Sequence, residues 1–268
     1  MTGADSLAAV DGESLWSVTR GQGPELVLLH GWGLHSDVWA PLQERLEAAF
    51  RVTHIDLPGH GHSKDSQVPA DLAGWSRAVR AVAPQRAVWL GWSLGGQVAL
   101  RTALDAPERV AGLIAVASTP RFLSASDWPH GMAPETLEAF AGELAGDFRG
   151  TVEQFLSLQV QGAPDARAQL RELRAQVFRH GEPSHQALER GLAILRRTDL
   201  RAELRELRMP VLVLSGRLDR LTPPEAGRAM AEGAAAGAYH CFPRAAHAPF
   251  LSDPEPFVEL IDEFIQAG

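Results

Sequence analysis

The feature that most constrains the fold of this chain is Gly91-Trp92-Ser93-Leu94-Gly95-Gly96, which follows the apolar run Ala87-Val88-Trp89-Leu90 and precedes a helical stretch over 97–103. A strand that turns into a helix through G-x-S-x-G holds its serine in a strained conformation, with the hydroxyl facing solvent. Glycine is required at 91 and 95 because the turn brings two backbone segments together and leaves no room for a Cβ. The amide of Leu94, first in the helix, points to where negative charge would develop if the serine attacked a carbonyl. The pattern alone is weak, since glycine and serine are common. The strand before it and the helix after it make Ser93 a nucleophile candidate.

The rest of the chain supplies a setting for such a turn. Short apolar strands are expected over 25–30, 51–55, 87–90 and 110–117, with helices over 37–50 and 72–82 between them. In the first helix Val38, Leu42 and Leu46 share one face. The alternation then stops. From about 120 to 198 the pattern is helical, near 134–145, 151–160, 164–179 and 184–195, broken by glycine and proline. It resumes with a strand over 211–214, a helix near 224–232, a strand over 239–242 and a helix over 254–265. Strands alternating with helices imply an α/β fold with a mostly parallel sheet covered by helices on both faces. Residues 1–119 and 199–268 are expected to form its core, and residues 120–198 an inserted helical cap.

A serine hydroxyl needs a base to take its proton as it attacks, and on this architecture the partners follow in the order Ser, Asp or Glu, His. Asp219 follows the strand over 211–214 through Ser215-Gly216-Arg217-Leu218. His247 follows the last strand in Arg244-Ala245-Ala246-His247-Ala248-Pro249-Phe250. Loops at the carboxyl ends of parallel strands form the functional crevice, and Ser93, Asp219 and His247 all stand on such loops. A second oxyanion donor is expected from Leu29-His30-Gly31-Trp32-Gly33, through the backbone N–H of Trp32 beside that of Leu94. His30 is read as shaping that loop.

The chain has ten histidines, and His247 is the one standing where this order demands a base. The sequence Gly59-His60-Gly61-His62-Ser63 suggests a metal, yet no carboxylate or cysteine stands at ligand spacing, so both are read as loop residues. His180 and His185 are expected to be exposed on the cap. No metal and no cofactor is expected.

Composition narrows the setting. A 268-residue chain that is 45% hydrophobic can bury a core around one large sheet. It has no apolar run long enough to span a bilayer and no basic-then-apolar leader at its start. A net charge of −8 disfavours nucleic acid as a partner. The charge is uneven: between Arg121 and Arg197, nine arginines face ten acids, so the cap is far less acidic than the remainder. The single cysteine, Cys241, excludes an internal disulfide, fits a reducing compartment, and is read as a buried thiol. The expectation is a cytoplasmic monomer with no membrane partner.

Together these motifs resemble the α/β-hydrolase family over essentially the whole chain. The resemblance narrows through Leu28-Leu29-His30-Gly31-Trp32-Gly33-Leu34, Val38-Trp39, Trp89-Leu90-Gly91-Trp92-Ser93-Leu94-Gly95-Gly96 and Ala245-Ala246-His247-Ala248-Pro249-Phe250. These are similar to the carboxylesterases of biotin synthesis that cleave the methyl ester of pimeloyl-acyl carrier protein. In the cap, Asp147-Phe148, Thr151-Val152-Glu153, Phe155-Leu156 and Leu158-Gln159 agree with them. The resemblance implies a serine esterase with Ser93, Asp219 and His247 as its triad. It implies that Trp32, Leu94, Phe155, Leu156, Ser157, Leu158 and Gln159 line the acyl pocket.

In that family, cap arginines meet the acidic carrier. Arg167 and Arg171 match two of those positions, Gly150 and Gln154 occupy two others, and Arg149 lies one place off. Arg167, Arg171 and Arg174 also fall on one helix face, with Leu170, Leu173 and Val177 on another. A solvated face pairing with Glu172 and other acids would show the same stripe. Two further readings stay open: a broad short-chain carboxylesterase with no carrier partner, and a non-catalytic ligand-binding protein on the same scaffold.

Overall fold

A computed structural model of the chain describes residues 5–7, 15–144 and 146–268. Strands β1 (Asp5–Leu7), β2 (Trp16–Arg20), β3 (Glu25–Leu29), β4 (Arg51–Ile55), β5 (Ala87–Trp92), β6 (Val110–Val116), β7 (Val211–Gly216) and β8 (Gly237–Phe242) form one sheet. Their order is β1-β2-β4-β3-β5-β6-β7-β8, parallel from β4 to β8, with β1 and β2 antiparallel at one end. Every residue of β5 and β7 is buried, as a parallel strand covered on both faces requires.

The helices of the core are α1 (Gln43–Ala49), α2 (Leu72–Val82), α3 (Leu94–Asp105), α8 (Pro224–Gly233), α9 (Pro249–Ser252) and α10 (Pro254–Ala267). Between β6 and β7 the chain inserts α4 (Pro134–Leu144), α5 (Phe148–Gln159), α6 (Ala166–Val177) and α7 (His185–Arg197). Aspartate side chains cap two of these helices: Asp71 accepts from Gly74 N at the head of α2, and Asp147 from Gly150 N at the head of α5. Among the described residues, no helix is long and apolar enough to cross a membrane.

The expected strands and helices are present, with differences that have physical causes. The helix expected over 37–50 divides into a 3-10 turn, Ser36–Leu42, and α1, because Pro41 has no N–H to donate within it. Val38, Leu42 and Leu46 nevertheless face the core as their spacing implies. The sequence reading has no counterpart for β2, which carries three polar residues in five. Its register against β4, with Ser17 opposite Ile55, makes it a strand. Cys241 is half-buried rather than buried, because β8 ends the sheet and has no strand beyond it.

Behind the carboxyl ends of β5 and β8 an aromatic cluster fills the core. Trp39 packs on Phe250 at 4.6 Å between ring centres, Trp92 meets Phe250 edge-on at 5.0 Å, and Phe250 meets Phe257 at 5.9 Å. All four rings are fully buried. The loops after β3, β5, β7 and β8 therefore leave one edge of the sheet over a rigid floor.

Candidate active site

Ser93 stands between β5 and α3 with φ +55°, one of two non-glycine residues with positive φ among the described residues. Such a conformation costs about 1–3 kcal/mol and persists because its surroundings over-determine it. Ser93 N donates to Val116 O at 2.9 Å, and the Ser118 hydroxyl donates to Ser93 O at 2.8 Å. The glycines act as the sequence implies. A Cβ on Gly91 would collide with the carbonyl of Gly95, and one on Gly95 would lie 2.6 Å from Leu29 O. The hydroxyl does not face solvent: Ser93 is only 3% exposed, and its Oγ has no hydrogen-bond partner among the described residues.

Asp219 and His247 are brought together as their order implies. His247 Nδ1 lies 2.8 Å from Asp219 Oδ2, and both side chains are completely buried. The carboxylate is saturated. Oδ1 accepts from the N–H groups of Leu221 and Thr222, and Oδ2 accepts from the Thr222 hydroxyl at 2.7 Å. Because Nδ1 carries the proton shared with Asp219, Nε2 is left unprotonated, and it has no hydrogen-bond partner among the described residues.

The His247 peptide is pinned as well. Trp92 Nε1 donates to His247 O at 2.7 Å, and His247 N donates to Gln159 O at 2.9 Å. Thr222, Ser118 and the indole of Trp92 were not legible as site residues. The only sequence sign was Trp92's place beside the serine.

Trp32 follows β3 in the loop facing α3. Its neighbours Gly33 N and Leu34 N are bonded to His60 Nε2 and Gly31 O, whereas no hydrogen bond engages the Trp32 N–H among the described residues. Leu94, first in α3, has no intrahelical acceptor for its own N–H. The Trp32 ring is gripped by the insertion, with Nε1 donating to Leu188 O at 2.9 Å and Phe155 edge-on at 4.8 Å.

Of the other residues expected at the acyl pocket, Phe155, Leu156 and Gln159 are buried, and Ser157 and Leu158 are half-buried. The Ser157 hydroxyl is turned back onto Glu153 O. On the outer face of the insertion Arg167 and Arg171 are exposed and enter no ion pair among the described residues. Arg174 pairs with Glu153 at 3.2 Å. Arg149 is bound to Glu182 at 2.7 Å and lies over the Phe178 ring. Leu173 and Val177 face inward and Leu170 is half-buried, as expected.

This geometry can be set beside known proteins. The profile of the alpha/beta hydrolase family matches residues 26–260. The chain belongs to the alpha/beta hydrolase family. A curated pimeloyl-acyl-carrier-protein methyl ester esterase from Nitrosomonas europaea is 46% identical over 244 residues, covering 91% of this chain and 96% of that protein. One of the same name from Stenotrophomonas maltophilia is 44% identical over 245 residues, covering 91% and 94%. Among solved structures, an esterase from Exiguobacterium antarcticum superposes with a TM-score of 0.84 at 23% identity, covering 94% of this chain and 96% of that one. An esterase from Rhodococcus sp. ECU1013 gives 0.78 at 27%, covering 99% of both.

In this α/β-hydrolase the Trp32 loop rests on buried histidines. His30 Nε2 accepts from Leu57 N at 2.9 Å and its Nδ1 lies 2.8 Å from Gly31 O, so His30 shapes the loop as expected. His60 and His62 are more than loop residues. His60 is completely buried, accepting from Gly33 N and donating to Pro58 O. His62 Nδ1 meets Asp56 Oδ2 at 3.0 Å. The fold supplies a carboxylate from the end of β4 that no ligand spacing in the sequence announces. Burial pushes His30 down to about 3 and His60 down to about 4, so both are neutral at pH 7. Burial alone would raise Asp56. The His62 hydrogen bond, the neighbouring His30 and the amides of Ser36 and His62 instead hold it well below the usual carboxylate range.

These buried imidazoles give the fold a signed dependence on pH. Unfolding frees His30 and His60 to bind protons near their ordinary value of 6.5. Above that value they are neutral in both states and contribute no slope. Between it and about 4 the unfolded chain binds more protons, so stability falls as pH falls. Urea unfolding is expected to lose about 4 kcal/mol between pH 7 and pH 5 from these two groups. A stability profile that is flat across that interval would contradict the assignment.

Proposed function

We propose that the chain hydrolyses the methyl ester of pimeloyl-acyl carrier protein to the free acid and methanol, a step of biotin synthesis, through an acyl-enzyme on Ser93. The observation that carries the chemistry is the buried pair of unpartnered atoms, Ser93 Oγ and His247 Nε2, beside a histidine–aspartate hydrogen bond of 2.8 Å. The match over nine-tenths of the chain to esterases named for that substrate supports its identity.

His247 Nε2 takes the proton of Ser93 Oγ as the oxygen attacks the ester carbonyl, and Asp219 stabilises the imidazolium that forms. The N–H groups of Trp32 and Leu94 hold the oxyanion. His247 then protonates the departing methanol. Water, activated by the same base, attacks the acyl-serine, and the released carboxylate restores the enzyme. Residues 120–198 act as a cap, with Trp32, Leu94 and the α5 stretch from Phe155 to Gln159 lining the acyl channel. Because Ser93 is buried, the cap must open for the substrate to enter.

The carrier docks on the outer face of α6. Among the described residues Arg167 and Arg171 enter no ion pair and are available to an acidic partner, whereas Arg149 is committed to Glu182. A docked carrier also explains selectivity. Its thioester is the more labile bond, so only threading that brings the distal methyl ester to Ser93 protects it. The reading has the enzyme acting as a cytoplasmic monomer, with no metal or cofactor in the reaction.

Complementation of a biotin auxotroph lacking this esterase tests the reading. The wild-type gene is expected to restore growth, and Ser93→Ala to fail. In vitro, Ser93→Ala should lower kcat by about 10⁴–10⁶-fold and abolish labelling by a fluorophosphonate while the fold survives. Full turnover in that variant would move the nucleophile elsewhere.

Thr222→Val keeps the shape of the side chain and removes one donor to Asp219. It should lower kcat/KM by about tenfold, the equivalent of ~1.4 kcal/mol. An unchanged rate would leave the threonine as packing only. Replacing Arg167 and Arg171 together by glutamate should raise KM for the carrier-linked ester, less so at high salt, and leave a p-nitrophenyl ester nearly unaffected. Equal losses on both substrates would indicate a damaged cap, and no loss on either would favour a carboxylesterase without a carrier.

A further inference from the structure

Away from Ser93, Asp219 and His247, imidazoles and carboxylates gather where the loop after β3 meets the connection between α6 and α7. His35 and Asp37 come from the core loop, and His180, expected on the surface, is half-buried against them. One ligand-type atom from each of the three lies within 4.8 Å of the others. Their contacts set their donor states. His35 Nε2 lies 2.7 Å from Gln176 O, so the proton is on Nε2 and the lone pair is on Nδ1. Among the described residues that lone pair is met only by the Asp37 N–H, at a long 3.3 Å. A histidine whose far nitrogen donates to a backbone carbonyl is oriented as metal-ligating histidines are.

His180 Nε2 lies 2.9 Å from Asp37 Oδ2, and Arg179 Nη1 lies 3.1 Å from the same oxygen. The His62 ring packs 4.0 Å from His180 while its own Nδ1 engages Asp56. Asp37 and His180, with His62 and Trp16, line part of a surface cavity of about 230 Å³ by which an ion can reach them from solvent, and the buried His35 ring packs edge-on against His180 at 4.7 Å.

We infer that His35 Nδ1, the Asp37 carboxylate and His180 Nε2 form a zinc site that fastens the insertion to the core. Two imidazole nitrogens and one carboxylate oxygen are a donor set that Zn²⁺ takes, with its fourth position left to water. With bonds of about 2.0–2.1 Å, tetrahedral donors lie about 3.3 Å apart. The contact between Asp37 and His180 is already shorter than that, and rotation of side chains draws in the third donor. The ion takes the place of the proton shared by His180 and Asp37, so binding releases a proton to solvent. Arg179 competes for the same oxygen, but its side chain is 58% exposed and free to swing outward. The inference stands apart from the catalytic proposal, since none of the three ligands belongs to it.

The test is isothermal titration of the chelator-stripped full chain with Zn²⁺, alongside melting with and without the ion. One zinc per chain is expected, with a rise in Tm that Mg²⁺ does not reproduce. His180→Gln should weaken binding by more than about tenfold and remove the rise in Tm. His35→Asn should do the same, and asparagine keeps a side-chain acceptor for the Asp37 N–H, so the turn survives. When zinc is absent His180→Gln should melt like the stripped wild-type chain, whereas His35→Asn, which also loses the buried bond from Nε2 to Gln176 O, should melt lower than it and still gain nothing from zinc. Lack of stoichiometric binding would overturn the site, and so would variants that bind zinc as tightly as the wild type.

Discussion

Three hydrogen bonds converge on His247, each from a different part of the chain. Asp219, after β7, holds its ring; Trp92, ending β5, holds its carbonyl; and Gln159, ending α5 in the insertion, holds its amide. A base must stay within a fraction of an ångström of its working position to be effective. Here that precision is assembled from the sheet, the aromatic floor and the helical insertion together. The strained Ser93 backbone is the matching constraint on the other side: Val116, Ser118 and the bare Cα atoms of Gly91 and Gly95 leave it no other conformation.

What the sequence disclosed follows from how local each feature is. The turn around Ser93 was legible because an apolar strand, two obligatory glycines and a helical stretch lie within seventeen consecutive residues, 87–103. Asp219 and His247 were legible because parallel topology sends the loops after β7 and β8 to the same edge as Ser93. Thr222 was not, since a hydroxyl three residues after an acid looks like any loop threonine until the carboxylate is seen to need it. Trp92 reads as a core residue until folding brings the last loop against its indole. Asp56 reaches His62 only because β4 ends beside the Gly59–Ser63 turn, and β2 is defined by its register with β4 rather than by its own pattern. In each of these cases the information lay in long-range pairing.

The burial of Ser93 separates two demands on the insertion. On the proposed mechanism, the closed insertion excludes bulk water and strengthens every electrostatic contact around Ser93. It then has to admit an ester, release an alcohol and let one water reach the acyl-serine. Its attachments differ in strength accordingly. Arg179, His180 and Asp37 form polar contacts at the surface, while the bonds from Trp32 to Leu188 and from His247 to Gln159 lie inside. With no ion bound, the surface contacts are weakened by solvent and give way before the buried ones.

The bond from His247 N to Gln159 O joins two backbones, and it is therefore blind to the side chains on either side of it. If α5 lines the acyl channel as proposed, substitutions along it can reshape that channel for a longer, shorter or more polar chain without touching the anchor of His247. Two kinds of change alter it: a proline at 247, which would also remove the base, and an insertion or deletion that shifts the end of α5. Variation in substrate can thus accumulate by point mutation in this helix while its length stays fixed.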